Sequence, residues 1–227
     1  MKAIELAESG RLPDWMLRLG IRRLLKRRLA QEFDRDPMRR SARAQALVEA
    51  LRESAVAIET EAANEQHYEV PAAFYQLALG QRLKYSSGYW PDGTNDLDSA
   101  EEAMLAATCR YAELADGQRI LELGCGWGSL TLWMAAEYPE SRITAVSNSA
   151  SQRAHIQARA LELGLDNIEV LTRDVNTLEL DQRFDRVVSV EMFEHVRNYR
   201  ELMKRIAGWL RPQGKLFVHI FCHQYLL

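Results

Sequence analysis

Cysteine is scarce in this chain, and its spacing argues against two kinds of site. The three cysteines, Cys109, Cys125 and Cys222, lie far apart, and no Cys-x-x-Cys pair occurs. Disulfide frameworks need paired cysteines, and structural zinc sites need closely spaced ligands. We therefore expect neither, and the free thiols suit a reducing cytosol.

Long apolar runs are missing as well. No window approaches the roughly 18 uninterrupted apolar residues that a membrane span needs. Charged residues interrupt the amino terminus, where a signal peptide would have an apolar core. Internal repeats and low-complexity tracts do not occur either. These absences predict a cytoplasmic protein.

The net charge is small, but the charges are unevenly distributed. The 227 residues are 47% apolar and 27% charged, which is ordinary for a globular protein, and the net charge is −3. Residues 1–60 carry 13 Lys and Arg against 9 Asp and Glu, a net of +4, which leaves −7 for the rest of the chain. The acidic larger part argues against nucleic acid as a substrate, whereas the basic start is compatible with an anionic partner.

The amino-terminal part predicts two helices. Apolar residues recur near helical spacing over residues 14–32, with Arg and Lys between them, and predict a basic amphipathic helix. Two interpretations of this helix stay open: it packs on the domain with its basic face in water, or it makes peripheral contact with anionic lipid headgroups. A second helix is predicted from Pro37 to about Ala63. We divide the chain into a helical extension, residues 1–63, and a main domain, residues 64–227.

Short β-branched segments alternate with helical segments in the main domain. A short helix is predicted after Pro71. The further predicted helices lie near 98–115, 128–138, 150–163 and 198–210, and the predicted strands are 119–123, 142–147, 168–172, 185–190 and 214–221. This alternation is typical of an α/β fold with a doubly wound, mostly parallel sheet, whose ligands bind at the carboxyl ends of the strands.

The turn after the first of these strands is the most informative motif. In RILELGCGWGSL, Glu122 precedes three glycines at alternate positions, Gly124, Gly126 and Gly128. Glycine lets the backbone turn tightly and lie against a ligand. Dinucleotide loops read G-x-G-x-x-G, but here the third glycine comes one residue early and Ser129 stands in its usual place. The spacing E-x-G-x-G-x-G instead resembles the cofactor loop of S-adenosylmethionine-dependent methyltransferases.

Polar residues follow the next two predicted strands. The second strand ends in Ser147-Asn148-Ser149, without the acidic residue that commonly binds ribose. The amide of Asn148 can bond ribose hydroxyls in its place. After the third strand, the Asp174 carboxylate can accept the adenine amino hydrogen while the Val175 backbone N–H donates to the ring.

Further motifs complete a family pattern. The segments HYEVPAAFY, LKYSSGYW, VSNSASQ and EMFEHVRNY occur together, in that order. With them the chain resembles, from about residue 60 to its end, the cyclopropane fatty acid synthase family, which also contains the plant coclaurine N-methyltransferases and their bacterial relatives. NEQHYEVP, SNSASQ and VEMFEH are closer to the N-methyltransferase branch, because the synthases tend to read HYDIGNDFY and carry a cysteine where this chain has Ser87.

The resemblance implies a Rossmann-like methyltransferase sheet with S-adenosylmethionine as cofactor. Such sheets continue past the fifth strand with a helix and an antiparallel hairpin, so we expect the C-terminal strands to be missing here. The implied cofactor-binding residues are Tyr85, Ser86, Glu122, Gly124, Cys125, Gly126, Trp127, Gly128, Ser147, Asn148, Gln152, Asp174 and Val175. The implied catalytic residues at the mouth of the site are Glu191, Glu194 and His195.

Methyl transfer to an amine requires a neutral nitrogen, because an ammonium has no free lone pair. Glu194 offers a carboxylate that orients the amine, and the neighbouring His195 offers an imidazole that accepts the proton. The structural alternative is that Glu194 caps the following helix and His195 packs beneath it. We expect no metal site, since adjacent residues on a helix point about 100° apart and cannot share one ion.

Three functions stay open at this point. The motifs favour N-methylation of a small amine. The basic amino-terminal helix favours methyl or methylene transfer to unsaturated acyl chains of a phospholipid, for which the synthases hold bicarbonate at positions matching Ser87, Glu194 and His219. The third is a fragment that binds the cofactor without turnover, because the chain stops six residues after Phe221. The oligomeric state is not indicated.

Overall fold

The computed structural model describes residues 3–10, 12–32, 36–58 and 72–222. The described residues form two compact units, one up to Ala50 to which Cys222 also belongs, and one from Leu51 to Phe221. The predicted domain boundary after residue 63 lies outside the described residues and stays a prediction. In the described part of the chain, no helix combines the length and the apolar character that crossing a bilayer requires.

The first unit is helical. Its described helices are α1 (Ala3–Glu8), α2 (Asp14–Glu32) and α3 (Pro37–Glu53), of which the last continues past the end of the unit. The bounds of α2 are those predicted, but the prediction that this helix is amphipathic is wrong. Trp15 and Leu24 lie on opposite sides of α2 at about 100° per residue, and their exposed fractions are 65% and 67%. Apolar and basic side chains therefore surround this helix instead of dividing into two faces.

The second predicted helix ends early, because a tertiary contact replaces its last turns. α3 ends at Glu53, and Ser54 Oγ donates to the backbone oxygens of Leu51 and Ala55. Val56 and Ala57 are buried, and Ala57 forms an antiparallel bridge with Val196. The prediction of a helix to Ala63 is therefore wrong over residues 54–58, and residues 59–63 lie outside the described part.

The second unit contains the predicted alternation of strands and helices. Its described elements are α4 (Ala72–Ala78), α5 (Leu97–Tyr111), β1 (Arg119–Leu123), α6 (Ser129–Glu137), β2 (Arg142–Ser147), α7 (Ala150–Glu162), β3 (Ile168–Thr172), β4 (Phe184–Val190), a 3₁₀ turn (Phe193–His195), α8 (Tyr199–Trp209) and β5 (Leu210–His219). The strands form one sheet of order β3-β2-β1-β4-β5, and every pair is parallel. The predicted α/β class is confirmed.

β5 begins four residues earlier than predicted. Pro212 and Gly214 read as turn residues in the sequence, but the strand already pairs with β4 at Leu210, opposite Phe184. Gln213 adopts a left-handed φ of 67°, and the pairing register shifts between Phe184 and Arg186. This irregularity leaves residues 211–214 without a partner on β4 and so accommodates Pro212 and Gly214 in the strand.

Both faces of β1 are covered, as expected for the centre of a parallel sheet. Leu121 packs in one core cluster with Ile206 of α8, and Ile120 packs in another with Met134 of α6. The relative exposure of all four side chains is 1% or less. This central strand therefore holds the glycine-rich turn that follows it on a rigid base.

Side-chain caps explain where several helices begin. Asp96 accepts a hydrogen bond from Ser99 N at the start of α5, and Asn198 accepts one from Glu201 N at the start of α8. Such caps satisfy backbone N–H groups that have no partner within the helix. α6 differs, because its N-cap is Gly128, which has no side chain to offer.

Candidate active site

The carboxyl ends of β1 to β4 meet at one edge of the sheet, since the strands are parallel neighbours. A cavity lies at the end of β1 and encloses about 470 Å³ of space, its open mouth included. The residues that line it are Leu83, Lys84, Tyr85, Ser86, Leu105, Thr108, Glu122, Gly124, Cys125, Gly126, Trp127, Ser129, Leu130, Val190 and Glu191. This is the place where ligands of doubly wound sheets bind.

Half of the predicted site residues share this cavity. Those that line it are Tyr85, Ser86, Glu122, Gly124, Cys125, Gly126, Trp127 and Glu191. Those that do not are Gly128, Ser147, Asn148, Gln152, Asp174, Val175, Glu194 and His195. The second group follows the ends of β1, β2, β3 and β4, along the same edge of the sheet.

The glycine turn is required by the packing of the protein itself. Gly124 and Gly128 have left-handed φ values of 81° and 84°. A Cβ on Gly124 would lie 2.7 Å from the Met192 side chain, and one on Gly128 would lie 2.5 Å from Ile156 Cγ1. Neither position can take a larger residue without strain. The turn is thus held close to the segment after β4 and to α7.

Glu122 is a buried acid beneath the turn. Its exposed fraction is 3%, and Thr131 Oγ1 donates to Glu122 Oε2 at 2.5 Å. Burial raises the pKa of Glu122 to about 7, and the hydrogen bond from Thr131 opposes this rise. The carboxyl therefore titrates near neutral pH beside the cavity.

The residues after β2 form a hydrogen-bonded turn. Ser147 Oγ donates to Gln152 Oε1 at 2.6 Å and accepts from Ser149 N at 3.0 Å. Ser149 caps α7. Gln152 is 2% exposed, so its side chain is fixed in place, and Asn148 is partly exposed beside it.

The residues after β3 are joined to a segment that the sequence did not single out. Asp174 Oδ1 accepts from Asn176 N at 2.8 Å. The Asn176 side chain in turn accepts from Ala57 N and donates to Ala57 O, both at 3.0 Å. Val175 packs against the core cluster that contains Val56.

The same segment, residues 52–57, is fastened to the chain after β4. Arg197 N donates to Val56 O at 2.7 Å, and Asn198 Nδ2 donates to the backbone oxygens of Arg52 and Ser54. We call residues 52–57 the strap. It links the loop after β3 with the loop that carries the predicted catalytic residues. No sequence signal pointed to it, because the contacts join residues more than 100 positions apart.

The three predicted catalytic residues differ in their surroundings. Glu191 lines the cavity, has a left-handed φ of 50°, and its N–H donates to His219 O at 2.8 Å. Such a conformation is costly for a residue with a side chain and often marks a functional position. Glu194 is exposed, and its Oε1 accepts from Phe221 N at 2.5 Å.

His195 is exposed at the end of the 3₁₀ turn. The structural alternative for Glu194 and His195 is wrong, because Asn198 caps α8 and neither side chain is buried. Both side chains therefore stand where a second molecule can reach them.

Aromatic rings cover the outer side of the glycine turn. Tyr75 lies 5.8 Å from Tyr85 and 5.7 Å from Trp127, between ring centroids. A Cβ on Gly126 would lie 3.3 Å from Tyr85 Cε1. Tyr85 thus sits directly over the turn.

Several buried polar atoms at this edge of the sheet have no partner among the described residues. These atoms are Ser87 Oγ, Trp127 Nε1, Ser129 Oγ, Gln152 Nε2, His155 Nε2 and Thr172 Oγ1. Buried polar groups are nearly always hydrogen bonded, so these atoms fit contact with a polar ligand or water. Among the described residues, no group of three or more His, Cys, Asp or Glu side chains is placed to hold a metal ion.

Known proteins are similar to this chain over the whole of the sheet and its candidate site. A family model described as mycolic acid cyclopropane synthetase matches residues 57–225. The (S)-coclaurine N-methyltransferase of Thalictrum flavum subsp. glaucum is 39% identical over 217 residues, which make up 96% of this chain and 60% of that protein. The cyclopropane-fatty-acyl-phospholipid synthase of Escherichia coli K12 is 37% identical over 156 residues, 68% of this chain and 39% of that protein.

A solved structure is similar over nearly the whole chain. The crystal structure of coclaurine N-methyltransferase bound to N-methylheliamine and SAH has a TM-score of 0.89 at 37% identity, and the match covers 98% of this chain and 64% of that one. The chain thus spans 60% to 64% of the length of these two N-methyltransferases.

Proposed function

Since this chain belongs to the mycolic acid cyclopropane synthetase family, we propose that it is an S-adenosylmethionine-dependent methyltransferase that methylates the nitrogen of a small amine. The observation that carries the proposal is the similarity to coclaurine N-methyltransferase over at least 96% of the chain. The synthase relative matches a smaller share, 68%. Methyl transfer to acyl chains is therefore the second candidate.

The residues at the edge of the sheet suit the cofactor. Tyr85, Ser86 and the glycine turn would hold its methionine part. Ser147, Asn148 and Gln152 would hold the ribose, and Asp174 with Val175 the adenine. When bound, S-adenosylmethionine supplies an activated methyl group on a sulfonium. The unpartnered buried atoms Trp127 Nε1 and Gln152 Nε2 support this assignment, because a ligand with several polar groups would satisfy them.

The exposed pair Glu194 and His195 would handle the amine. The Glu194 carboxylate is held in position by the N–H of Phe221, which supports a role in orienting the amine. The exposed His195 imidazole would take the proton that frees the nitrogen lone pair. Glu191, on the cavity wall, would face the amine from the inner side.

Three broader assignments belong to the same proposal. Residues 64–227 would form the cofactor-binding domain, and residues 1–63 its helical extension. The many Arg and Lys residues of α2 support peripheral contact with anionic lipid through their charge alone. Three free cysteines, two of them buried, support a reducing cytoplasm.

The test is to incubate the 227-residue chain with methyl-labelled S-adenosylmethionine. One sample receives coclaurine, and another receives vesicles of anionic phospholipid with unsaturated acyl chains. Binding of S-adenosylhomocysteine (SAH), the cofactor without its methyl group, is measured in parallel by calorimetry. His195→Ala serves as the matched variant.

Label in coclaurine that depends on His195 is the expected result. Label in the acyl chains would instead favour the second candidate. SAH binding without label in either sample would identify a cofactor-binding fragment without turnover. A chain that does not bind SAH would contradict the cofactor assignment itself.

A further inference from the structure

Lys84 is a buried cation on the wall of the cavity. Its exposed fraction is 6%, although lysine is almost never buried without a charged partner. Its Nζ donates to Ser86 Oγ at 2.6 Å, which is the one acceptor that the described residues offer to it. An ammonium has three N–H donors. Two of them are thus available to a ligand.

The nearby carboxylates do not form an ion pair with the buried ammonium of Lys84. Glu101 is fully buried, and its two oxygens already accept from Gly80 N and Arg82 N, both at 3.0 Å. Glu191 lines the same cavity, but it forms no ion pair within 4.0 Å of Lys84 in the described structure. Burial lowers the pKa of Lys84, and Glu191 and Glu101 counteract this by raising it. The ammonium therefore lies among negative charges without direct contact to them.

This arrangement of charges suits an α-amino acid. The amino-acid end of S-adenosylmethionine carries one carboxylate and one ammonium. The cavity offers one ammonium, from Lys84, and the carboxylate of Glu191. An ion with spare donors in a water-poor site binds an anion much more strongly than a surface lysine does.

We propose that Lys84 binds the carboxylate of the cofactor's amino-acid end. The inference rests on the proposed function, because it requires this cofactor in this cavity. The hydrogen bond to Ser86 orients the ammonium, and Ser86 is itself one of the implied cofactor residues. A purely structural role, in which Lys84 only supports Ser86, is the competing explanation.

The test compares two ligands that differ in their amino-acid end. S-Adenosylhomocysteine has it, whereas 5′-methylthioadenosine keeps the adenosine and the thioether but lacks it. We would measure both dissociation constants by calorimetry for the wild-type chain, Lys84→Met and Lys84→Arg. Lys215→Met is the control, because Lys215 of β5 is exposed and forms an ion pair with Glu113, away from the cavity lining.

In Lys84→Met, the affinity for S-adenosylhomocysteine should fall about 10- to 100-fold, which is typical of a hydrogen bond between two charged groups. The affinity for 5′-methylthioadenosine should change less than about twofold. Lys84→Arg should keep part of the wild-type preference for S-adenosylhomocysteine over 5′-methylthioadenosine. Lys215→Met should keep all of it. Because both ligands bind the same variant, a partial loss of folding cancels in the ratio of the two affinities.

An equal loss for both ligands would overturn the inference and assign Lys84 the structural role. An unchanged affinity for S-adenosylhomocysteine would overturn it as well. If the wild-type chain binds neither ligand, the proposed cofactor is wrong, and the inference falls with it. These outcomes separate a failure of the lysine assignment from a failure of the proposed function.

Discussion

The buried acid Glu122 should make the stability of this protein depend on pH. Its pKa in the folded chain is about 7, against an ordinary value of 4.5. The folded state therefore holds this proton more tightly than the unfolded chain. The stabilisation of the folded state by this proton is fully present below about pH 4.5 and is lost as the pH rises through about 7. The difference between the two pKa values corresponds to about 3 kcal/mol.

Glu122→Gln isolates this effect, because glutamine keeps the shape and can still accept the hydrogen bond from Thr131 but does not titrate. We would measure denaturant-induced unfolding of both proteins at pH 5 and pH 8. Between these values, the wild-type chain should lose about 2–3 kcal/mol more of its free energy of unfolding than Glu122→Gln. That loss is a large part of the typical stability of a domain, about 5–15 kcal/mol.

Thr131→Val provides a matched variant of the same site. The Thr131 hydroxyl stabilises the charged carboxylate and lowers its pKa, so its removal should enlarge the loss between pH 5 and pH 8. Equal pH dependence in the wild-type chain and Glu122→Gln would refute the explanation. It would mean that Glu122 is solvated or paired in a way that the buried geometry excludes.

Three further predictions concern the turn, the imidazole and the strap. Gly128→Ala should destabilise the fold by about 2–4 kcal/mol from backbone strain and overpacking. Gly164→Ala should cost only about 1–2 kcal/mol in thermal unfolding, because its φ is also left-handed but its Cβ would meet open space. His195→Ala should reduce methyl transfer far more than SAH affinity, and an equal loss of both would contradict its proposed role as the base. Asn176→Ala should destabilise by about 1–3 kcal/mol, since both backbone groups of Ala57 lose their partner, and unchanged denaturant unfolding would show that the strap adds no stability.

The sheet was predictable because local signals and the long-range fold agree in it. The observed bounds of β1, β2 and β3 are those predicted, and β4 differs by one residue. Strands buried on both faces are apolar throughout, and the turns between them carry glycine or polar residues. Where the chain departs from local rules, prediction failed. β5 contains Pro212 and Gly214 between its pairing at Leu210 and the pairing that resumes at Lys215, so a shift in register accommodates them.

The candidate site was predictable in its motifs but not in its supports. The turn from Gly124 to Gly128 is formed by consecutive residues, so the sequence alone predicts its place at the end of β1. Lys84 reads as one more charged residue in a loop, and nothing in its neighbours shows that folding buries it. Likewise, the alanine-rich pattern of α3 favours a longer helix, and only the contact with Val196 reveals the strap.

The strap has a consequence for how events at the two ends of the site depend on each other. Asn176 joins it to the loop proposed to bind adenine, and Arg197 joins it to the loop that carries His195. Both loops thus contact the same segment. Once that segment is ordered, the entropic cost of ordering it does not arise again for the second loop. If the cofactor orders the strap, less ordering is left for the amine to bring about, and by thermodynamic reciprocity each ligand then raises the affinity for the other by the same factor. Cofactor and amine should therefore bind cooperatively, and loosening the strap should weaken this cooperativity more than either separate affinity.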